Sequence, residues 1–266
     1  MRTSPLPAIV VIALLVLAGC AGLPGASENQ PSPNQFPDAS DINQSVFDRH
    51  TTEMANTNFT LAAERTRKER APARSENNFT YMNETARFLV EPSDSQYLVH
   101  TDGYFSGNST IYSNGSTEYV LLPDNRTMVR KLTPESVFNE SSDKYLWRGW
   151  FNNDSGSLRV LAFVSIDATY QREGVETYRG VPVMRYEVTG VDALPGWAGG
   201  GAPNSYFEEF SATLLIDENG VIRHFEYEFV WIDYHTRKMT ETYTLSEVGS
   251  TSVQKPGWVA NTTSEA

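Results

Sequence analysis

The sequence predicts a mainly β protein of the α+β class: an antiparallel sheet with a few helices against one face. Three observations carry this. From Tyr81 onward, short β-prone runs alternate with turn signals. The last third holds a long run, Val221 to Tyr234, whose aromatic residues recur at every second position. The segment with the clearest helical spacing is short, Asp41 to Asn56.

The elements follow in order. Asp41 is placed to cap a helix whose face carries Ile42, Val46, Phe47, His50 and Met54. Phe59 to Thr66 reads as a strand, and Lys68 to Asn78, charged and containing Pro72, as a turn or loop. Strands are expected at Thr85–Glu91, Gln96–Thr101, Ser109–Ser113, Thr117–Leu122 and Arg126–Leu132. Asn114-Gly115 between two of them is the strongest short hairpin signal in the chain. Thr133-Pro134-Glu135 opens a short helix, with Thr as cap and Pro at the first helical position. Leu158 to Ile166 is apolar and reads as helix in preference to buried strand. Ala168–Tyr178 and Val181–Gly190 flank Arg179-Gly180 as a second hairpin. Asp192 to Asn204 is glycine-rich and irregular. Phe210–Ile216, Val221–Tyr234 and Arg237–Leu245 form a meander. In its middle strand Val221, Arg223, Phe225, Tyr227, Phe229 and Trp231 share one face, and Ile222, His224, Glu226, Glu228, Val230 and Ile232 the other.

Ahead of this domain, an apolar run from Ile9 to Ala18 ends at Leu17-Ala18-Gly19-Cys20. The run is about half of the roughly 20 residues that span a bilayer. With Arg2 before it and small residues after it, residues 1–19 read as a signal peptide. Cys20 is the sole cysteine, so no disulfide forms within one chain. An uncleaved anchor, or cleavage elsewhere with Cys20 incidental, is the alternative. Residues 20–40, rich in Pro, Gly, Ser and Asn, read as a flexible linker. The expected organisation is therefore a domain at 41–258 and a disordered tail at 259–266.

The formal charge is −12, and loss of residues 1–19 removes only Arg2 and brings it to −13. This excludes nucleic acid as a partner, because such binding is carried by clustered Lys and Arg. Only five lysines are present: Lys68, Lys131, Lys144, Lys238 and Lys255. An acidic, lysine-poor surface fits a salt-loving source, where salt screens self-repulsion. Asn-x-Ser/Thr sequons occur at Asn43, Asn58, Asn78, Asn83, Asn108, Asn114, Asn125, Asn139, Asn153 and Asn261, candidate sites of N-glycosylation in an exported chain.

No nucleophile elbow, phosphate loop or metal-ligand spacing is present, so no catalytic residue, metal or cofactor is expected. His50, His100, His224 and His235 are scattered. Glu226 and Glu228 read as an exposed acidic face and Asp217-Glu218-Asn219-Gly220 as a hairpin turn. The one stretch with a functional edge is Phe225, Tyr227, Phe229 and Trp231, with Met239 and Tyr243 on the neighbouring strand. It suits either an ordinary core or the wall of an apolar ligand pocket. Trp197, Tyr206 and Phe207, in or beside the glycine-rich segment, are candidates for a lid over it.

Four features carry a resemblance: Leu17-Ala18-Gly19-Cys20, which resembles a prokaryotic lipobox; Asn58-Phe59-Thr60-Leu61 after the helix; Gly180-Val181-Pro182-Val183-Met184-Arg185-Tyr186; and the strand-turn-strand Leu214 to Ile222. The chain resembles haloarchaeal lipoproteins of unknown function whose domain looks like the LolA/LppX lipoprotein-carrier fold. The resemblance implies a lipid on Cys20 and attachment to the outer face of the cell membrane. It implies a curved sheet, a half-barrel with helices on its concave face. It also implies a non-enzymatic module that binds lipid or another hydrophobic molecule. The competing expectation is a structural or adhesive glycosylated surface protein without a cavity.

Overall fold

The computed structural model describes residues 31–70, 79–103, 108–132, 151–152, 157–158, 168–194, 207–232 and 238–261. The chain divides after Pro31, and every described residue beyond it lies in one compact unit, Ser32–Ala266. Its main feature is one open antiparallel sheet of eleven strands. The strands are β1 (Phe59–Arg70), β2 (Phe79–Glu91), β3 (Gln96–Gly103), β4 (Ser109–Asn114), β5 (Thr117–Leu121), β6 (Thr127–Lys131), β9 (Gln171–Tyr178), β10 (Val181–Thr189), β11 (Phe207–Asp217), β12 (Ile222–Trp231) and β13 (Lys238–Ser246). The two-residue strands β7 (Phe151–Asn152) and β8 (Ser157–Leu158) pair with each other separately. Among the described residues one α-helix, α1 (Gln44–Met54), stands before β1.

The spatial order is β6-β5-β4-β3-β2-β1-β13-β12-β11-β10-β9. The chain starts at the centre, walks outward to β6, crosses to the opposite edge at β9 and walks back. Two meanders are thus sewn together along β1 and β13, which pair from Thr60↔Ser246 to Lys68↔Lys238. Local hairpins build each half, and one long-range ladder closes the molecule.

Alternation along the strands gives the sheet two unlike faces. Leu245, Leu61, Phe88, Val99, Ile111 and Val120 stand in register on five consecutive ladders of the inner face, all buried. Helix α1 packs on this face through Ile42, just before it, and Val46 and Met54. Arg172 binds Asp38 at 3.0 Å and the carbonyl of Pro33, Tyr186 donates to the carbonyl of Pro37, and Phe36 is buried in the same core. Packing thus begins ahead of Asp41. The outer face is largely polar, with Thr240, Thr242, Glu226 and Glu228 on its central strands. An apolar patch on it, Tyr112 with Leu89, Leu98 and Tyr119, is covered by Val253, Trp258 and Val259. Burial of Val259 carries ordered packing past residue 258.

Several expected boundaries move. Asn43, not Asp41, opens α1: its Oδ1 accepts from the Ser45 N–H at 2.8 Å, while Asp41 closes a short 3-10 turn. Strand β1 runs on to Arg70 and β2 starts at Phe79, because cross-strand pairing persists beyond the point where local charge suggests a loop. The long middle strand ends at Trp231. Ile222 does not share the polar face with His224. The ladder steps from Leu215↔His224 to Ile216↔Ile222, and the extra residue, Arg223, flips the phase so that Ile222 is fully buried. The helix expected at Thr133 lies outside the described residues, as does all of Leu158–Ile166 except Leu158, which is in β8.

Candidate functional site

Register places the expected aromatic residues together. Phe225 pairs with Tyr243, Tyr227 with Glu241 and Phe229 with Met239. The rings form an unbroken stripe: Phe225–Tyr227 centroids are 5.5 Å apart, Tyr227–Phe229 5.8 Å and stacked, and Phe229–Trp231 4.3 Å edge to face. Phe207 joins it, 4.9 Å from Phe229 and 6.2 Å from Trp231. Phe225, Tyr227, Phe229, Met239 and Tyr243 are buried, and Trp231, at the end of the stripe, is half-buried. Phe207 therefore belongs to the start of β11 and not to a loop above it. Trp197 and Tyr206 lie outside the described residues.

Two polar devices interrupt this face. The first is a row across four strands: Tyr227 on β12, Glu241 on β13, Arg65 on β1 and Glu84 on β2. The Arg65 guanidinium binds Glu241 and, at 3.2 Å, Glu84, and the Tyr227 hydroxyl donates to Glu241. Both carboxylates are buried, with 5% and 2% of the side chain exposed, and Arg65 supplies counter-charge to each. Burial opposes the charge on Arg65, but Glu241 and Glu84 outweigh it and hold the guanidinium above its usual range.

The second device is His50, which α1 projects onto the sheet. Its Nδ1 accepts from the backbone N–H of Ile222 at 3.2 Å. The proton of the neutral ring is then on Nε2, which donates to the Tyr243 hydroxyl at 3.2 Å. Burial first and the nearby Arg223 second bring His50 down to about 3, so the ring is neutral. Neither device is legible as a motif. The only sequence signal is phase: Arg65, Glu84 and Glu241 occupy the inward positions of their strands.

The remaining candidates are dispersed. Glu226 is exposed on the outer face, and Glu228 binds Lys238 at 2.6 Å. His224 sits between Tyr178 and Thr244, and burial with nearby Arg179 and Arg185 lowers its proton affinity. His100 is exposed beside Thr110, and His235 lies outside the described residues. Among the described residues, no three His, Cys, Asp or Glu side chains come together as metal ligands. No helix among them is long and apolar enough to cross a membrane. Cys20 lies outside the described residues, as do Asn78, Asn139 and Asn153.

Residues 5–262 match the model of a family described as Family of unknown function (DUF7537). The chain belongs to that family. No curated protein matches this member. Among solved structures it is similar to LprF from Mycobacterium bovis, at 12% identity over 86% of this chain and 99% of that one, with a TM-score of 0.39. Lipoprotein LppX from Mycobacterium tuberculosis is 11% identical over 79% and 97%, with a TM-score of 0.35. A LolA superfamily protein from Nitrosomonas europaea is 12% identical over 79% and 94%, with a TM-score of 0.26.

Proposed function

We propose that this DUF7537 member is a lipoprotein of the haloarchaeal type, held by a lipid on Cys20 at the outer face of the cell membrane, that binds or carries a hydrophobic ligand such as a lipid without catalysing a reaction. The observation that carries the reading is the aromatic stripe. It is continuous from Phe225 to Trp231, lies on the helix-bearing face, and ends in a large ring that is half-buried. Apolar walls with few polar groups are what small hydrophobic ligands select.

The test uses the soluble chain from Ser32 onward. Organic extraction of the purified protein should release co-purifying lipid, and a dansyl-labelled fatty acid should bind and be displaced by that lipid. Trp231→Ala should weaken probe binding about tenfold, the loss of one aromatic contact, with Tm nearly unchanged. Absence of both lipid and probe binding rejects the carrier reading. For the anchor, mass spectrometry of the membrane fraction should find Cys20 as a lipid-bearing N-terminus, and Cys20→Ser should release the protein. Retention of the variant at the membrane with unchanged processing rejects it.

One observation favours a second reading, a structural or adhesive surface protein without a cavity: Phe225, Tyr227 and Phe229 are 0%, 2% and 3% exposed. Under that reading the stripe is core. The probe then fails to bind wild type, and Trp231→Ala changes stability alone.

A further inference from the structure

The sequons are unevenly placed. Of the ten, none falls between residues 154 and 260, the stretch that forms β9 to β13. The half of the sheet that carries the aromatic stripe is therefore without acceptors, and the β1–β6 half is dense in them. Five of the described sequons fall into two kinds. Asn83, Asn108, Asn114 and Asn125 are exposed. Asn83 is on the outer face of β2, because its neighbours Met82 and Glu84 are buried inward. Asn108, just before β4, and Asn125, between β5 and β6, lie at one end of the strands, and Asn114, the last residue of β4, at the other. At Asn114 only the amide oxygen is engaged, accepting from the N–H groups of Ser116 and Thr117 at 3.1 and 2.9 Å. That leaves Nδ2 to carry a substituent. Asn58 is the opposite case. It is half-buried, its Nδ2 donates to the Thr251 carbonyl at 3.1 Å, and the Thr60 hydroxyl of the same sequon is buried against Glu247 and Thr251.

We propose that Asn83, Asn108, Asn114 and Asn125 are N-glycosylation sites, that Asn58 is not, and that the glycans coat the outer face and both ends of the β2–β6 half while leaving the β9–β13 half bare. The inference rests on export of the chain, as argued above. The co-reactant is an oligosaccharide linked to a lipid phosphate and supplied on the outer side of the membrane. Asn Nδ2 bonds to the anomeric carbon, the bond from that carbon to the phosphate oxygen breaks, and Nδ2 gives up one proton. The lipid phosphate leaves, and nothing is oxidised or reduced. The amide oxygen is untouched, so the Asn114 turn keeps its backbone hydrogen bonds from Ser116 and Thr117 after modification. A glycan at Asn58 has to displace the segment after β13 that carries Thr251.

The test is peptide mapping of the wild-type protein isolated from its own host's membranes, so that no variant has to fold. Peptides containing Asn83, Asn108, Asn114 and Asn125 should carry sugar mass, and the Asn58 peptide should not. The lipid-bearing Cys20 peptide from the same digest separates the two claims. A lipidated Cys20 with the four exposed sites unmodified, or with sugar on Asn58, overturns the glycan assignment and leaves the anchor intact. An unlipidated chain without glycans overturns export and the assignment together. Trypsin digestion before and after enzymatic or chemical removal of sugar gives a second readout. New early cuts should appear in residues 79–132 and not in 168–246. Equal acceleration in both halves overturns the one-sided coat.

Discussion

At the scale of single residues, the inner face depends on groups whose charge state is set by their burial. Neutral His50 joins α1 to the backbone of Ile222 and the hydroxyl of Tyr243. Its ring titrates near 6.5 when unfolded and near 3 when folded. As pH falls through that window the unfolded chain takes up a proton that the folded chain refuses, so unfolding is favoured. Stability contributed here is complete above the unfolded value and declines by about 1.4 kcal/mol per pH unit below it. Denaturant melts of wild type and His50→Gln between pH 7 and 4 should therefore converge as pH drops. A constant offset would show that His50 titrates normally. The row at Arg65 works differently. Arg65→Met removes the cation bound to the buried carboxylates of Glu84 and Glu241 and should cost about 3–5 kcal/mol. Adding Glu84→Leu and Glu241→Leu should recover much of that loss, as measured by the urea midpoint.

At the scale of elements, the turns do what their residues require. Gly115 (φ +85°) and Gly180 (φ +83°) both adopt a left-handed conformation, but their surroundings differ. A Cβ at Gly115 would come 2.6 Å from the Asp94 carbonyl oxygen, and one at Gly180 would meet nothing within 4 Å. Gly180→Ala should cost about 1–2 kcal/mol, the conformational penalty alone. Gly115→Ala should lower Tm further, since the β2–β3 turn has to shift as well. Equal losses would mean that the two turns do not differ as described. Such turns, and the alternation from Phe225 to Trp231, were legible because turn chemistry and two-residue periodicity are local. The buried side of Ile222 was not, because a single unpaired residue at Arg223 inverts the phase and nothing in the residues announces it. Boundaries failed for a related reason: Lys68 and Arg70 look like loop residues until their partners Tyr81 and Phe79 are known. The polar row was partly legible. Arg65 keeps step with Leu61 and Ala63, Glu84 with Met82 and Ala86, and Glu241 with Met239 and Tyr243. A charge in an apolar phase on three strands signals pairing, but naming the pairs needs the register.

At the scale of the whole molecule, the two meanders share a single seam, and that seam sets how the protein unfolds. Each half is built from hairpins, but neither closes its own core: the row from Leu245 through Leu61 to Val120 crosses the seam. Breaking β1 from β13 exposes apolar side chains of both halves at once, so the halves should unfold together. Ala63 is the residue to test. It is fully buried at the seam, in register with Tyr243 on one side and Ala86 on the other. Ala63→Leu adds volume where none is free and should cost about 1–3 kcal/mol. Cooperativity makes the form of the loss informative. Tryptophan fluorescence and far-ultraviolet circular dichroism should trace one coincident transition in wild type. The variant should move that whole transition to lower denaturant with an unchanged slope. A variant curve that splits in two, or a wild-type curve whose probes do not coincide, would mean that the β1–β6 and β9–β13 halves are separate folding units. The long-range ladder would then join them without coupling them.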